Sequence, residues 1–163
     1  AFSHMLTGAP AWMDVATITA VAVFVGLPAS ILGNELSLKI GRQRAITFVM
    51  FGCLFFSFSI GFMADMPFII VVAMAIMYGF MIAADSSSLT AGSVGSAPME
   101  LRGATMAVHS FLGFGGGIIG PVVAGSVLDN TGGTSSITAW GLMFISMGAV
   151  TLIGPLALRL TRK

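Results

Sequence analysis

Five apolar runs dominate this chain, and each is long enough to cross a bilayer's hydrocarbon, which takes about 20 residues of helix. They occupy residues 12–32, 45–63, 67–95, 104–128 and 137–158. Backbone groups in lipid have no water to pair with, so such runs must close their hydrogen bonds internally, as helices or as a sealed barrel. Transmembrane strands would be shorter and would alternate in polarity, which these runs do not. The sequence therefore predicts an all-α integral membrane protein, a polytopic bundle of about five transmembrane helices, with the lipid bilayer as its first partner.

Charge is scarce at 8% of residues, far below the quarter usual in a soluble domain, so its placement carries information. All seven cations fall on one side of an alternating five-span topology. Lys39, Arg42 and Arg44 lie between the first and second runs, Arg102 lies between the third and fourth, and Arg159, Arg162 and Lys163 follow the fifth. The connections at 64–67 and 129–136 have none. The positive-inside rule makes the cation-bearing side cytoplasmic. The C-terminus is then expected in the cytoplasm and residue 1 on the external side. An external N-terminus needs an earlier span to deliver it, and AFSHMLTGAP has no basic n-region of a signal peptide, so upstream spans are expected.

The composition excludes several functions. A net charge of +1 offers no basic face for nucleic acid, and Cys53, the only cysteine, rules out disulfides and cysteine-based metal sites. There is no phosphate-binding glycine loop, dinucleotide fingerprint or metal-ligand cluster, so no cofactor and no metal is expected.

Two segments carry more than topology. NELSLKIGRQR places Asn34, Leu36, Lys39, Gly41, Arg42 and Arg44 in the short connection between the first two runs. APMELRGATMAVHSFLGFGGGIIGPVVAGSVLD places Pro98, Glu100, Arg102 and Gly103 ahead of a Gly-rich helix with Gly120, Pro121 and Gly125. The first resembles the loop signature of the major facilitator superfamily, and the second is similar to the loop and helix joining spans ten and eleven of that family. Leu38 stands at the family's acidic position, and Asn34 where Gly is usual. The resemblance implies spans eight to twelve of a twelve-helix transporter, hence the C-terminal portion of a partial major-facilitator fold. It further implies secondary active transport of a small solute through a cavity shared with an N-terminal half, with both polar connections acting in a cytoplasmic gate.

Within the spans, polar side chains are candidates for a solute or proton pathway, because intramembrane ionisable groups are rarely idle. Asp85 would lie about 27 Å along a helix from Pro67, and His109 lies seven residues after Arg102, at broadly similar depth. Two readings stay open for each. Asp85 is either a cavity-facing acid or a wet helix terminus, and His109 either faces the solute or is satisfied by a backbone carbonyl or Ser110. Ser86, Ser87 and Ser88 point to three faces of a helix, and Ser86 is taken as the pathway candidate. In the Gly-rich helix Gly113, Gly117 and Pro121 recur every fourth residue, as do Gly116, Gly120 and Ala124, a spacing expected to pack closely on a neighbouring helix.

Asp14, Asp65 and Asp129 are expected as solvated caps, and Trp12 and Trp140 as interfacial anchors. Two other functions compete. A small non-catalytic membrane subunit or assembly partner would suit the chain's length. An intramembrane hydrolase would need a Ser–His pair, but no Gly-x-Ser-x-Gly elbow precedes the serines, and the chain is expected not to be an enzyme.

Overall fold

A computed structural model describes residues 14–63 and 65–160, with the side chains of Val15 and Leu158 undescribed. The described residues form helices α1 (Val15–Ile40), α2 (Arg42–Ile60), α3 (Phe68–Ala84), α4 (Ser86–Ser96), α5 (Arg102–Thr131), α6 (Ile137–Thr151) and α7 (Ile153–Leu160). A 3₁₀ turn over Met99–Leu101 leads into α5. α3 with α4, the 3₁₀ turn with α5, and α6 with α7 each run nearly end to end, giving five helices long and apolar enough to cross a membrane. Trp12, Arg162 and Lys163 lie outside the described residues.

The connection expected over residues 34–44 is shorter than its charge suggested. Asn34, Leu36 and Lys39 belong to α1, Arg42 and Arg44 belong to α2, and only Gly41 lies between the two helices. Polarity marks where a helix leaves the hydrocarbon, not where its hydrogen bonding stops. Nothing in Asn34–Ile40 breaks a helix, whereas Gly41 adopts φ +89°, a conformation open to glycine alone at little cost. The third run behaves as its length implied, with only Asp85 separating α3 from α4. α6 and α7 part at Leu152, three residues before Pro155, whose missing N–H cannot serve the carbonyl one turn back. α5 continues unbroken through Pro121.

α1 packs along α3 and α4, α2 lies against α1, α3 and α6, and α5 touches α4 and α6. The closest crossing is between α1 and α3. A methyl at Gly33 would overlap the Ala84 carbonyl, one at Gly26 would sit 3.3 Å from Ala83 Cβ, and Gly79 faces Ala22. Ala22, Gly26, Ser30 and Gly33 recur at three- and four-residue steps and form one small-residue stripe on α1. Such stripes let backbones approach where lipid supplies little hydrophobic drive between helices. Ser87 and Ser88 reinforce the crossing by donating to the Ser30 and Gly33 carbonyls at 2.6 and 3.3 Å.

A second close contact joins α2 to α6. Ser57 donates to the Phe144 carbonyl at 2.5 Å, and a methyl on Gly148 would stand 2.7 Å from Ser57 Oγ. Tyr78 of α3 meets the Phe144 ring edge-on, with centroids 6.1 Å apart. Beside this lies the apolar cluster of Val49, Cys53 and Ala84, flanked by Tyr78 and Met81.

The Gly-rich helix departs from expectation. α5 has no buried residue, and a methyl built on Gly113, Gly116, Gly117, Gly120 or Gly125 would meet nothing within 4 Å. The stripe therefore packs on no described helix of this chain, and Pro121 is likewise exposed. The tight packing predicted for α5 is found on α1 instead, because the fold pairs α1 with α3 along much of their length while α5 is held by α4 and α6.

Candidate functional site

The sites of interest lie along α4, on its faces towards α2 and α5. Arg42, at the start of α2, lies over Gly92 near the end of α4, which fixes these termini side by side. Lys39, Arg42, Arg44, Arg102 and Arg159 all belong to helix ends on this side of the bundle.

α4 carries the polar side chains. Ser86, Thr90 and Ser93 repeat at steps of four and three, so they share one face of the helix. That face looks towards α5, where Thr90 Oγ1 lies 3.2 Å from His109 Nε2. Below this contact a groove of about 440 Å³ opens between α4 and α5, lined by Ser93, Leu101, Thr105, Val108, His109 and Leu112 among others. Its walls are mostly apolar, with the imidazole and two hydroxyls as its polar groups. Ser93 donates to the Leu89 carbonyl at 2.9 Å and Thr105 to the Leu101 carbonyl at 3.0 Å, so both groove hydroxyls retain acceptor lone pairs, as does Thr90, which donates to the Ser86 carbonyl at 2.9 Å.

Asp85 and His109, expected at broadly similar depth, do not face one another. His109 is level with Thr90, five residues beyond Asp85, and five residues of helix amount to about 7 Å of rise and about 140° of rotation. Asp85 instead lies half-buried beside Ala84, whose cluster partners Val49 and Cys53 belong to α2. The acid and the imidazole thus sit on different faces of the α3–α4 rod. The hydrogen-bond partner of His109 is Thr90, in place of the Ser110 or backbone carbonyl that one of its two readings named.

The serines divide in the same way. Ser87 and Ser88 are spent on the α1 crossing. Ser86 is exposed, one turn before Thr90 on the same face. Pro98 precedes the 3₁₀ turn, Glu100 lies within it, and Arg102 and Gly103 open α5, all four exposed. Among the expected caps only Asp14 serves as one, accepting from the Thr17 amide at 2.7 Å. Pro67 caps α3 in place of Asp65, and Asp129 lies inside α5. Trp140 is tied to the connection before α6, donating from Nε1 to the Thr134 carbonyl at 2.9 Å.

Thr90, Ser93 and Gly92 were not singled out from the sequence, although the i, i+4, i+7 run of hydroxyls from Ser86 was there to be read. Among the described residues no group of three or more His, Cys, Asp or Glu side chains could hold a metal ion. No protein-family model matches the chain, and neither characterised proteins nor solved structures give a significant match.

Proposed function

We propose that this chain is the C-terminal part of a major-facilitator-type secondary transporter, set in the cytoplasmic membrane with its cation-bearing end inside. The observation that carries the reading is the groove between α4 and α5, lined by His109, Ser93 and Thr105, with Thr90 bonded to the same imidazole. A mostly apolar groove with a few convergent polar groups is the usual form of a small-molecule site. His109, Thr90 and Ser93 would orient the solute, and Ser86 would meet it one turn deeper. Asp85, turned towards α2, would respond to movement of the α2–α4 contact without touching the solute, the place of a coupling acid. Alternating access requires one side of the cavity to move, and α5 has no side chain locked in a core.

Accessibility tests this reading. With Cys53 replaced by serine, a single cysteine at Thr105 should react with an impermeant maleimide in inverted vesicles and not in intact cells. Imposing a proton gradient or supplying solute should change that reactivity several-fold. Equal labelling from both sides, unaltered by any gradient or solute, would remove the proposal.

One observation favours a second reading, a membrane subunit that functions within a larger assembly. The middle of α5 presents Gly113, Gly116 and Gly117 to no partner among the described residues. A cysteine at Gly117 that cross-links to a different polypeptide in the native membrane, together with fixed one-sided labelling at Thr105, would favour it over transport.

A further inference from the structure

The groove between α2 and α4 shares only Ser93 with the one beside His109, and we propose that it binds a phosphate group through Arg42. It encloses about 270 Å³, and its polar lining is Arg42, Gln43, Ser88, Ser93 and Ser96. No carboxylate is in that lining. Three cations crowd around the single-residue link at Gly41, yet of Lys39, Arg42 and Arg44 only Arg42 enters the groove.

Gly92 is what lets it in. A methyl at Gly92 would stand 2.9 Å from Arg42 Cδ, 3.4 Å from Nη1 and 3.6 Å from Nε, so the guanidinium rests directly against the α4 backbone. Arg42 thereby lines the groove while remaining exposed to solvent at its mouth. A planar fork of N–H donors without a carboxylate opposite it matches the oxygens of a phosphate, which it can hold by two parallel bonds. The Gln43 amide adds a donor from the adjacent position.

The hydroxyls can join it. Ser93 donates to the Leu89 carbonyl and Ser96 to the Ser93 carbonyl, at 2.9 and 3.0 Å, both within their own segment. Rotating the Ser93 hydroxyl onto a ligand oxygen leaves the Leu89 carbonyl its helical N–H donor, so nothing buried is orphaned. Ser88 remains committed to Gly33 and forms the floor.

The groove lies at the end of five membrane-length helices, the level at which lipid headgroups meet water. The phosphate is therefore either that of an anionic lipid headgroup or that of a soluble phosphate. Basic pockets between transmembrane helices on the cytoplasmic side suit the former.

Calorimetric titration of the purified chain in a non-ionic detergent distinguishes these sources. Phosphatidylglycerol in mixed micelles is one probe and inorganic phosphate at matched ionic strength is the other. Binding of the lipid alone assigns a headgroup site, and binding of both assigns a general phosphate site. In whichever arm binds, Arg42→Gln should weaken affinity about tenfold or more, the loss expected of a charge-assisted bidentate contact. Gly92→Ala keeps every charge but displaces the Arg42 stem, and should weaken binding about threefold or more. Lys39→Gln, outside the groove, should change it by less than about twofold. Arg42→Lys serves if Arg42→Gln does not fold, and should fall between wild type and Arg42→Gln. Failure of both probes to bind, or equal weakening by Lys39→Gln and Arg42→Gln, would overturn the proposal.

Discussion

Thr90 Oγ1 stands 3.2 Å from His109 Nε2 while donating its own proton to the Ser86 carbonyl at 2.9 Å, and together these bonds select the imidazole tautomer. A hydroxyl has one proton to give. With it committed to Ser86, the Thr90–His109 bond forms only if Nε2 carries hydrogen, leaving Nδ1 of the neutral ring as an acceptor.

This tautomer is measurable. Nitrogen-15 spectra of His109 in the wild type should show the neutral ring almost wholly as the Nε2–H form. Thr90→Val removes the acceptor and should give a mixture of tautomers, at a stability cost of about 1 kcal/mol. Thr90→Ser should restore the wild-type spectrum. A valine variant with an unchanged tautomer would mean that another group sets it.

The two glycine stripes should respond oppositely to a methyl group. Gly33→Ala drives a carbon into the Ala84 carbonyl, a backbone atom that cannot swing away, and overpacking of this kind costs about 1–3 kcal/mol. Gly117→Ala meets nothing within 4 Å and gains helix propensity, so it should be neutral or stabilising by roughly 0.5–1 kcal/mol. Unfolding in a denaturing detergent series would read both. If Gly117→Ala is tolerated by the isolated chain but impairs it in the native membrane, the open face of α5 is covered there by another polypeptide.

A third contrast lies within the serine run. Ser87→Ala and Ser88→Ala each remove an interhelical bond to α1, and in membranes such bonds average about 0.6 kcal/mol, reaching about 1.7. Ser87→Ala should have the larger effect, since its bond is the shorter at 2.6 Å. Ser86→Ala should leave stability unchanged, because that side chain is exposed. The same denaturation series decides it, and a Ser86→Ala loss as large as that of Ser87→Ala would contradict the assignment of roles.

These contrasts mark how far the sequence could be read. The five membrane-length helices were legible because an apolar run of that length has few conformations that close its own backbone hydrogen bonds. Helix ends were less so, since the polar residues Asn34 to Lys39 were read as a connection when they continue α1 as far as Ile40. Which small-residue stripe packs was not legible, because Gly113–Gly117 and Gly26–Ser30 share one spacing and only the tertiary pairing of α1 with α3 distinguishes them. That Asp85 and His109 face different helices was hidden for a related reason. Depth can be counted along a helix to within a turn or two, but the face a residue presents depends on how the rod is rotated against its neighbours. Thr90 won over Asp85 by about 140° of rotation.

The cap of α1 should make its first turn sensitive to acid. Hydrogen bonds from Thr17, its side chain first and its backbone amide second, hold the Asp14 carboxyl below the ordinary 3.8. A carboxylate with a depressed value stabilises the folded form above its unfolded value, and that contribution is lost as pH falls through the folded one. Protection of the Thr17 amide from exchange, corrected for the intrinsic rate, should be level above pH 3.8 and decline below it. Asp14→Asn should keep a cap without this pH dependence, and Asp14→Ala should lose protection at every pH. Protection in the wild type that is flat down to the lowest pH would show that the carboxylate does not cap the helix.

Gly41 provides a test free of packing effects. It is the whole connection between α1 and α2, its φ is +89°, and a methyl there would meet nothing within 4 Å. Any penalty for Gly41→Ala must therefore be conformational, of the order of 1–3 kcal/mol for a residue forced into a region that side chains avoid. The α1–α2 hairpin also positions Arg42 over Gly92, so relaxation of the link should release the arginine from its groove. Gly41→Ala should accordingly lower stability and weaken phosphate binding together, whereas Gly103→Ala, equally free of neighbours but inside α5, should do neither. If Gly41→Ala proves neutral in both measurements, the positive φ is not what joins these helices.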